Sequence, residues 1–230
     1  MPINAIIFDC DGVLVDSEAL LLRADLESFS EIGLNYEPQE FHEKYLGTDN
    51  ETYFQTLDRE YKKQHGNAPP ENVRDTFLSR RKSILESELT AIQGALELAA
   101  NLKLKKAVAS NTQRNEWLAR KLKMVGLYDV FAPHIYAAEN VKKGKPAPDL
   151  YLYAAQQIGI DPKECLVIED SPRGVQAAVA AGMSTIGFTG AAHVEEDHAA
   201  HLIAAGATEV FSTMRAFEEY IELIMKRDAG

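Results

Sequence analysis

Residues Ile3 to Ser17 read INAIIFDCDGVLVDS. Ile3, Ile6, Ile7 and Phe8 make the short apolar run of a strand buried on both faces. The run stops at Asp9, Cys10, Asp11, Gly12. Acids straight after a buried strand are costly, because a carboxylate without a partner loses several kcal/mol on desolvation. In an extended chain, residues two apart point to the same side, so Asp9 and Asp11 are expected to converge on one spot. Converging carboxylates repel unless a cation or a shared proton intervenes. Gly12 lets the backbone turn away. Taken alone, Asp-x-Asp reads equally well as a solvated acidic turn, so the remainder of the chain has to decide.

After Ser17 the pattern is helical through residues 17–90, with no strand candidate. Leu22, Leu26 and Phe29 recur at helical spacing before Gly33, and Pro38 to Leu46 reads as a shorter helix ending at Gly47. Asn50 caps a long helix carrying Phe54, Leu57 and Tyr61, and Pro69-Pro70 open another with Val73, Phe77, Ile84 and Leu85 on one side. From Thr90 onward strand and helix alternate, which predicts a parallel sheet with helical crossovers. Strands are predicted at Leu104–Ser110, Ile135–Ala138, Cys165–Glu169, Ser184–Phe188 and Thr208–Phe211. Helices are predicted from Gln113 to Met124, from Pro148 to Ile158, and after the Ser171-Pro172 cap. The fold class is therefore α/β: a Rossmann-like three-layer core of residues 1–16 and 91–230, interrupted after its first strand by an all-helical subdomain of residues 17–90. In such sheets, sites form at the carboxyl ends of the strands.

The 230 residues suffice for such a core with one insertion, and a hydrophobic fraction of 46% supplies it. A net charge of −11 argues against nucleic acid and anionic membrane as partners. It leaves room for a phosphorylated small molecule, because a divalent cation and a few placed lysines dominate locally. Cys10 and Cys165 are expected in apolar, strand-like runs, buried and reduced. No leader or apolar span is read, so the expected location is the cytoplasm, as a monomer or weak homo-oligomer.

Three further strand ends carry polar residues. Ser110, Asn111 and Thr112 follow the second strand and lead into a helix, an arrangement that suits an anion and equally an ordinary helix cap. Lys145 precedes Pro-Ala-Pro-Asp, while Lys142 and Lys143 read as solvated. Glu169 and Asp170 close the strand CLVIE.

The string DCDGVLVDSE, then Ser110, KPAPD and the Glu169-Asp170 pair, in that order, closely resembles the four motifs of the haloacid dehalogenase superfamily. The likeness is to its phosphatase and β-phosphoglucomutase branch, including sugar phosphatases of the 6-phosphogluconate phosphatase type. It spans nearly the whole chain, with the helical insertion placed as in members that carry a small helical cap. The resemblance implies that Asp9 is the nucleophile, Asp11 the general acid and base, Ser110 a phosphoryl ligand, and Lys145 the partner of both nucleophile and phosphoryl oxygens. It implies Mg²⁺ held by Asp9, Asp170 and the Asp11 carbonyl, with Glu169 either a direct ligand or one step removed. Asn111 is a further expected substrate contact. In the cap, Gly47 is carried over and Lys44 is a candidate for the substrate, as are Arg23, Arg80 and Arg81, although each of the four reads first as a solvated residue.

The implied function is hydrolysis of a small phosphorylated metabolite, a sugar phosphate or phosphorylated sugar acid, through an aspartyl-phosphate. A dehalogenase would lack the second acid, so Asp11 argues against it. A β-phosphoglucomutase-like mutase is the nearest alternative. Those mutases carry a His in the first cap helix, where the ungapped position here is Leu21. A non-catalytic binding protein on the same fold is the other alternative. Gly144-Lys145 is not a P-loop, since Glu139 and Pro146 occupy its flanking positions. His193, His198 and His201 lack zinc-helix spacing and read as a solvated face. Trp117 and the tyrosines of 151–153 read as helix packing.

Overall fold

The structure, a computed structural model, describes residues 2–45, 48, 50–191 and 197–228. Gly47 and His193 lie outside the described residues. The chain packs as two compact units, Met1–Ser17 with Leu89–Gly230, and Glu18–Glu88.

Strand β1 (Ala5–Phe8) opens the first unit and is buried at every position. The second unit follows: α1 (Glu18–Glu31), α2 (Pro38–Tyr45), α3 (Asn50–His65) and α4 (Val73–Glu88). Its core is aromatic. Phe29 stands at the centre, with ring centroids of Tyr45, Phe77 and Tyr36 at 4.9, 5.0 and 5.2 Å. Phe54 and Leu57, on one side of α3 by their spacing, and Val73 of α4 join it. One ion pair is buried here: Arg81 grips Asp25 through Nε–Oδ1 and Nη2–Oδ2 bonds of 2.5 and 2.7 Å, with its guanidinium 4.3 Å from the Tyr53 ring centre.

The first unit resumes with α5 (Ala95–Asn101), β2 (Lys105–Ser110), α6 (Asn115–Met124), α7 (Tyr128–Phe131), β3 (Ile135–Ala137), α8 (Asp149–Ile158) and β4 (Cys165–Glu169). It ends with α9 (Pro172–Ala180), β5 (Ser184–Phe188), α10 (His198–Ala205), β6 (Glu209–Phe211) and α11 (Met214–Asp228). All strand pairings are parallel and the order is β3-β2-β1-β4-β5-β6. The α/β reading holds. Strands β4 and β5 coincide with the predicted runs; β4, covered on both faces, is apolar from Cys165 to Ile168.

Alternation along β1 feeds both faces. Ile6 and Phe8 pack with Val108, Ile168, Leu118, Leu122 and Phe217. Ala5 and Ile7 pack on the other side with Ala107, Val167, Tyr151, Ala154 and Ala177. Ile6, Ile7 and Phe8 are fully inaccessible, and burial of each such side chain contributes about 1.5–3 kcal/mol of transfer free energy. The small Ala177 and Ala178 bring α9 close to the sheet, and Ser171 caps that helix by accepting from the Gly174 N–H at 3.1 Å. Among the described residues, no helix is long and apolar enough to cross a membrane.

Cys10 is buried, but it follows β1 rather than lying in it, because the strand ends at Phe8. Both Cys10 and Cys165 are unpaired thiols.

Candidate active site

The sheet register brings the motif residues together. Phe8 pairs with Ile168 on one side and Val108 on the other, so the strand ends carrying Asp9, Glu169 and Ser110 lie side by side. This is the switch point of the sheet, where β1 lies between β2 and β4. The Asp9 N–H still donates to the Ile168 carbonyl at 3.0 Å, and beyond it the chain turns sharply, with Leu14 and Val15 N–H both donating to the Cys10 carbonyl. Gly12 makes that turn at φ +78°, and a Cβ there would fall 1.9 Å from Asp170 Oδ2. Only glycine meets both demands.

Because the strand stops at Phe8, strand alternation does not set the direction of Asp11. Asp9 and Asp11 each take a lysine of their own. Lys145 Nζ donates to Asp9 Oδ1 at 2.5 Å and to Glu169 Oε1 at 2.6 Å. Lys121 Nζ donates to both oxygens of Asp11, at 2.7 and 2.6 Å, and to Thr112 Oγ1 at 2.8 Å. Ser17 Oγ adds a bond of 2.6 Å to Asp11 Oδ1.

Lys145 is held from behind as well as by its head group. Asn111 accepts from the Lys145 N–H at 2.8 Å and donates to the Lys145 carbonyl at 3.0 Å. Asn111, expected to meet the substrate, thus joins the loop after β2 to the Lys145 loop. A Cβ on Gly144 would lie 2.6 Å from Asn111 Oδ1, so the clamp requires that neighbour to be small.

Glu169 is almost fully buried and richly bonded. Besides Lys145, its Oε1 accepts from the Tyr151 hydroxyl at 2.9 Å, and its Oε2 accepts from Ser171 N–H and Oγ at 3.0 Å each. Tyr151, read from sequence as packing, therefore also supports the site. The backbone of α9 comes so close to this carboxylate that a Cβ on Gly174 would lie 1.7 Å from Oε1. His198 is likewise more than a solvated residue: its Nε2 lies 2.5 Å from the Asp170 carbonyl and, since a carbonyl only accepts, must donate to it. Ser110 is buried, with Oγ accepting from the Thr112 N–H at 3.0 Å and lying 3.1 Å from Thr112 Oγ1.

Electrostatics follow from these pairings. Burial, aided by Glu169 and Asp11, pushes Asp9 up to about 7, with Lys145 opposing. Burial would also raise Asp11, but Lys121, Ser17 and Thr112 bring it below the usual carboxylate value. For both lysines burial disfavours the charge, yet Asp11 beside Lys121, and Asp9 with Glu169 beside Lys145, hold the pKa above its ordinary value. Asp9, Glu169 and Asp170 offer oxygens that all lie within 4.8 Å of one another. All-oxygen donors and a turn kept open by Gly12 fit a hard ion such as Mg²⁺.

The cations named in the helical unit have local partners. Lys44 Nζ bonds Glu40 at 2.9 Å and Glu60 at 3.0 Å. Arg80 pairs with Glu27 and Glu31, Arg23 with Glu88, and Arg81 with Asp25.

Lys121 was not anticipated. The available signal was a lysine on the buried stripe of α6, between Leu118 and Leu122. A cation on a core-facing stripe implies a buried acid to meet it.

A parallel sheet of order 3-2-1-4-5-6, with acids at the ends of β1 and β4 and a lysine joining them, defines a haloacid dehalogenase-type core. Residues 6–188 match the family model described as haloacid dehalogenase-like hydrolase, and the chain belongs to that family. Its relatives include the 6-phosphogluconate phosphatase of Escherichia coli K12, 28% identical over 191 residues, covering 83% of this chain and 85% of that one. Hexitol phosphatase B of the same strain is 32% identical over 188 residues, with 80% and 82% covered. Among solved structures, a haloacid dehalogenase-family hydrolase from Deinococcus radiodurans R1, with bound phosphate and sodium, superposes with a TM-score of 0.84 at 33% identity. That match covers 97% of this chain and 96% of the other.

Proposed function

We propose that the chain is a Mg²⁺-dependent phosphatase acting on a small phosphorylated metabolite, a sugar phosphate or phosphorylated sugar acid, through an aspartyl-phosphate. The observation that carries this reading is the pair Asp9 and Asp11 at one strand end, each carboxylate engaged by a separate lysine. Two acids with separate partners suit two different tasks. The phosphatase names of the relatives supply the substrate class.

Asp9 attacks phosphorus in line as the ester bond breaks; Asp11, which its partners hold ionised before substrate arrives, takes up a proton as the phosphate ester binds and passes it to the leaving oxygen. Asp11, now a carboxylate, removes a proton from the water that cleaves the Asp9–phosphoryl bond. Lys145 keeps Asp9 oriented and meets the phosphoryl charge, Ser110 donates to a phosphoryl oxygen, and Glu169 with Tyr151 holds Lys145 in place. Mg²⁺ would be held by Asp9, Asp170 and the Asp11 main-chain carbonyl, and when bound it neutralises phosphoryl charge. Glu169, with both oxygens engaged by protein donors, is assigned to the support of Lys145.

Release of phosphate from p-nitrophenyl phosphate with Mg²⁺, followed by a screen of phosphorylated sugars and sugar acids, tests the activity. No release from any of them would favour a binding protein on this fold. Asp170→Ala is expected to lose about 10²-fold or more of the activity, the equivalent of the few kcal/mol that metal assistance supplies. Gly12→Ala should lose a comparable amount, because the added methyl occupies the space of the Asp170 carboxylate. Calcium, larger and with more ligands, should inhibit. Full activity in excess chelator would remove the metal from the mechanism.

The mutase alternative is tested with β-glucose 1-phosphate and a trace of its 1,6-bisphosphate. Leu21, the ungapped counterpart of the His that in family mutases helps couple the general acid to substrate binding, lies on α1, and a leucine cannot donate a hydrogen bond. Free phosphate is therefore expected to accumulate faster than glucose 6-phosphate. Isomerisation outrunning phosphate release by a large factor would overturn the phosphatase assignment.

A further inference from the structure

Lys121 is a buried charged group beside the motif residues that the mechanism above leaves without a task. It projects from α6, on a stripe otherwise occupied by Leu118 and Leu122, and its side chain is 4% exposed. An ammonium has three N–H donors. Here two go to the two oxygens of Asp11 and one to Thr112 Oγ1, at 2.6 to 2.8 Å. Lys145 differs: its carboxylate partners, Asp9 and Glu169, belong to two different strand ends. A phosphoryl group could engage Lys121 only by breaking its bonds to Asp11 or Thr112. Whatever Lys121 does for the reaction, it does through Asp11.

Stability is a poor reason for such a group. A lysine buried beside two leucines is strongly desolvated, and replacing a buried ion pair by apolar side chains of similar size is often neutral or stabilising. Apolar side chains at both 11 and 121 would avoid that cost. Asp11 also needs a restraint, because it lies beyond the end of the strand, next to the like charge of Asp9. Ser17 and Thr112 approach its oxygens at 2.6 and 3.4 Å. Each supplies a single contact, whereas Lys121 touches both oxygens and so fixes the rotation of the carboxylate.

We propose that Lys121 is a positioning residue for the general acid and base, clamping the Asp11 carboxylate in one orientation through a two-point contact anchored on Thr112. This rests on the assignment of Asp11 as general acid and base. Thr112 carries the clamp into the loop of Ser110, whose Oγ lies 3.1 Å from Thr112 Oγ1. The orientation of Asp11 is thereby tied to the loop assigned to the phosphoryl group.

The test is single-turnover phosphorylation by Mg²⁺-loaded enzyme on a series of aryl and alkyl phosphates, with steady-state kcat and KM alongside. Lys121→Met should lower kcat on alkyl phosphates by about 10- to 100-fold, part of the range that general acid catalysis supplies. KM, and inhibition by inorganic phosphate, should be unchanged. The rate should fall more steeply with leaving-group basicity, and p-nitrophenyl phosphate should lose less than about threefold in the phosphorylation step. Thr112→Val, which removes only the anchor, should shift the same slope in the same direction by a smaller amount; it provides the test if the methionine variant does not fold. In an Asp11→Asn background, Lys121→Met should cost nothing further, since the two act as a unit. An equal loss on aryl and alkyl substrates, or an undiminished loss in the Asp11→Asn background, would overturn the positioning role. If Asp11→Asn itself leaves alkyl phosphate turnover intact, the acid–base assignment fails. If Asp11→Asn is impaired and Lys121→Met is not, the proposal for Lys121 alone fails.

Discussion

Asp9→Asn is expected to reduce steady-state phosphate release by at least about 10⁴-fold, the scale on which loss of a nucleophile acts. The amide has the shape of the carboxylate, and its oxygen can still accept from Lys145 Nζ. The N–H bond to the Ile168 carbonyl belongs to the backbone and is unaffected. The folded state should therefore persist, with circular dichroism and melting close to those of the parent chain, while the atom that attacks phosphorus becomes a poor nucleophile. Removing one of four clustered acids also relieves repulsion, so inorganic phosphate should bind at least as tightly as before. Steady release of phosphate by a pure Asp9→Asn preparation at a tenth of the parent rate would place the nucleophile elsewhere.

The second large effect falls on Asp11→Asn, and it should depend on the leaving group. A sugar alkoxide leaves poorly without a proton, whereas a nitrophenolate needs none. The phosphorylation step should slow by about 10²–10⁴-fold on sugar phosphates and far less on p-nitrophenyl phosphate. Single-turnover measurement is required, because the asparagine also impairs proton removal from the attacking water and so slows the second step for every substrate. Lys121 would be left donating to a neutral amide, with a buried charge poorly compensated, so a fall in melting temperature should accompany the kinetic change. Equal losses on both substrate classes would show that Asp11 does not protonate the leaving oxygen.

These two residues also illustrate how far the chain could be read before its fold was known. The run Ile6, Ile7, Phe8 announces a strand covered on both faces, and CLVIE does the same for β4. In each case acids close the run. Periodicity and capping residues delimit the helices of the insertion and the Ser171-Pro172 start of α9. Such features are local. They arise from the pleat, the helical repeat and backbone caps, all of which act within a few residues, so a linear reading captures them.

Tertiary structure decided which groups meet. Lys121 finds Asp11 across 110 positions of sequence, and Asn111 finds the Lys145 backbone across 34. Extended-chain geometry suggested that Asp9 and Asp11 share one spot. They do lie close enough for Asp11 to raise Asp9, and the turn after Phe8 also gives each its own lysine. Lys44 and Arg80 looked available as cations until neighbouring helices and turns supplied Glu60 and Glu27. Tyr151 on α8 and His198 on α10 acquired site contacts, with the Glu169 carboxylate and the Asp170 carbonyl. The sequence by itself determined the strands, the helices of the insertion, α6, α8, the start of α9 and the polar residues at strand ends. The parallel order β3-β2-β1-β4-β5-β6 then assigned partners, because sheet register sets distances between residues whose separation along the chain carries no information about their proximity.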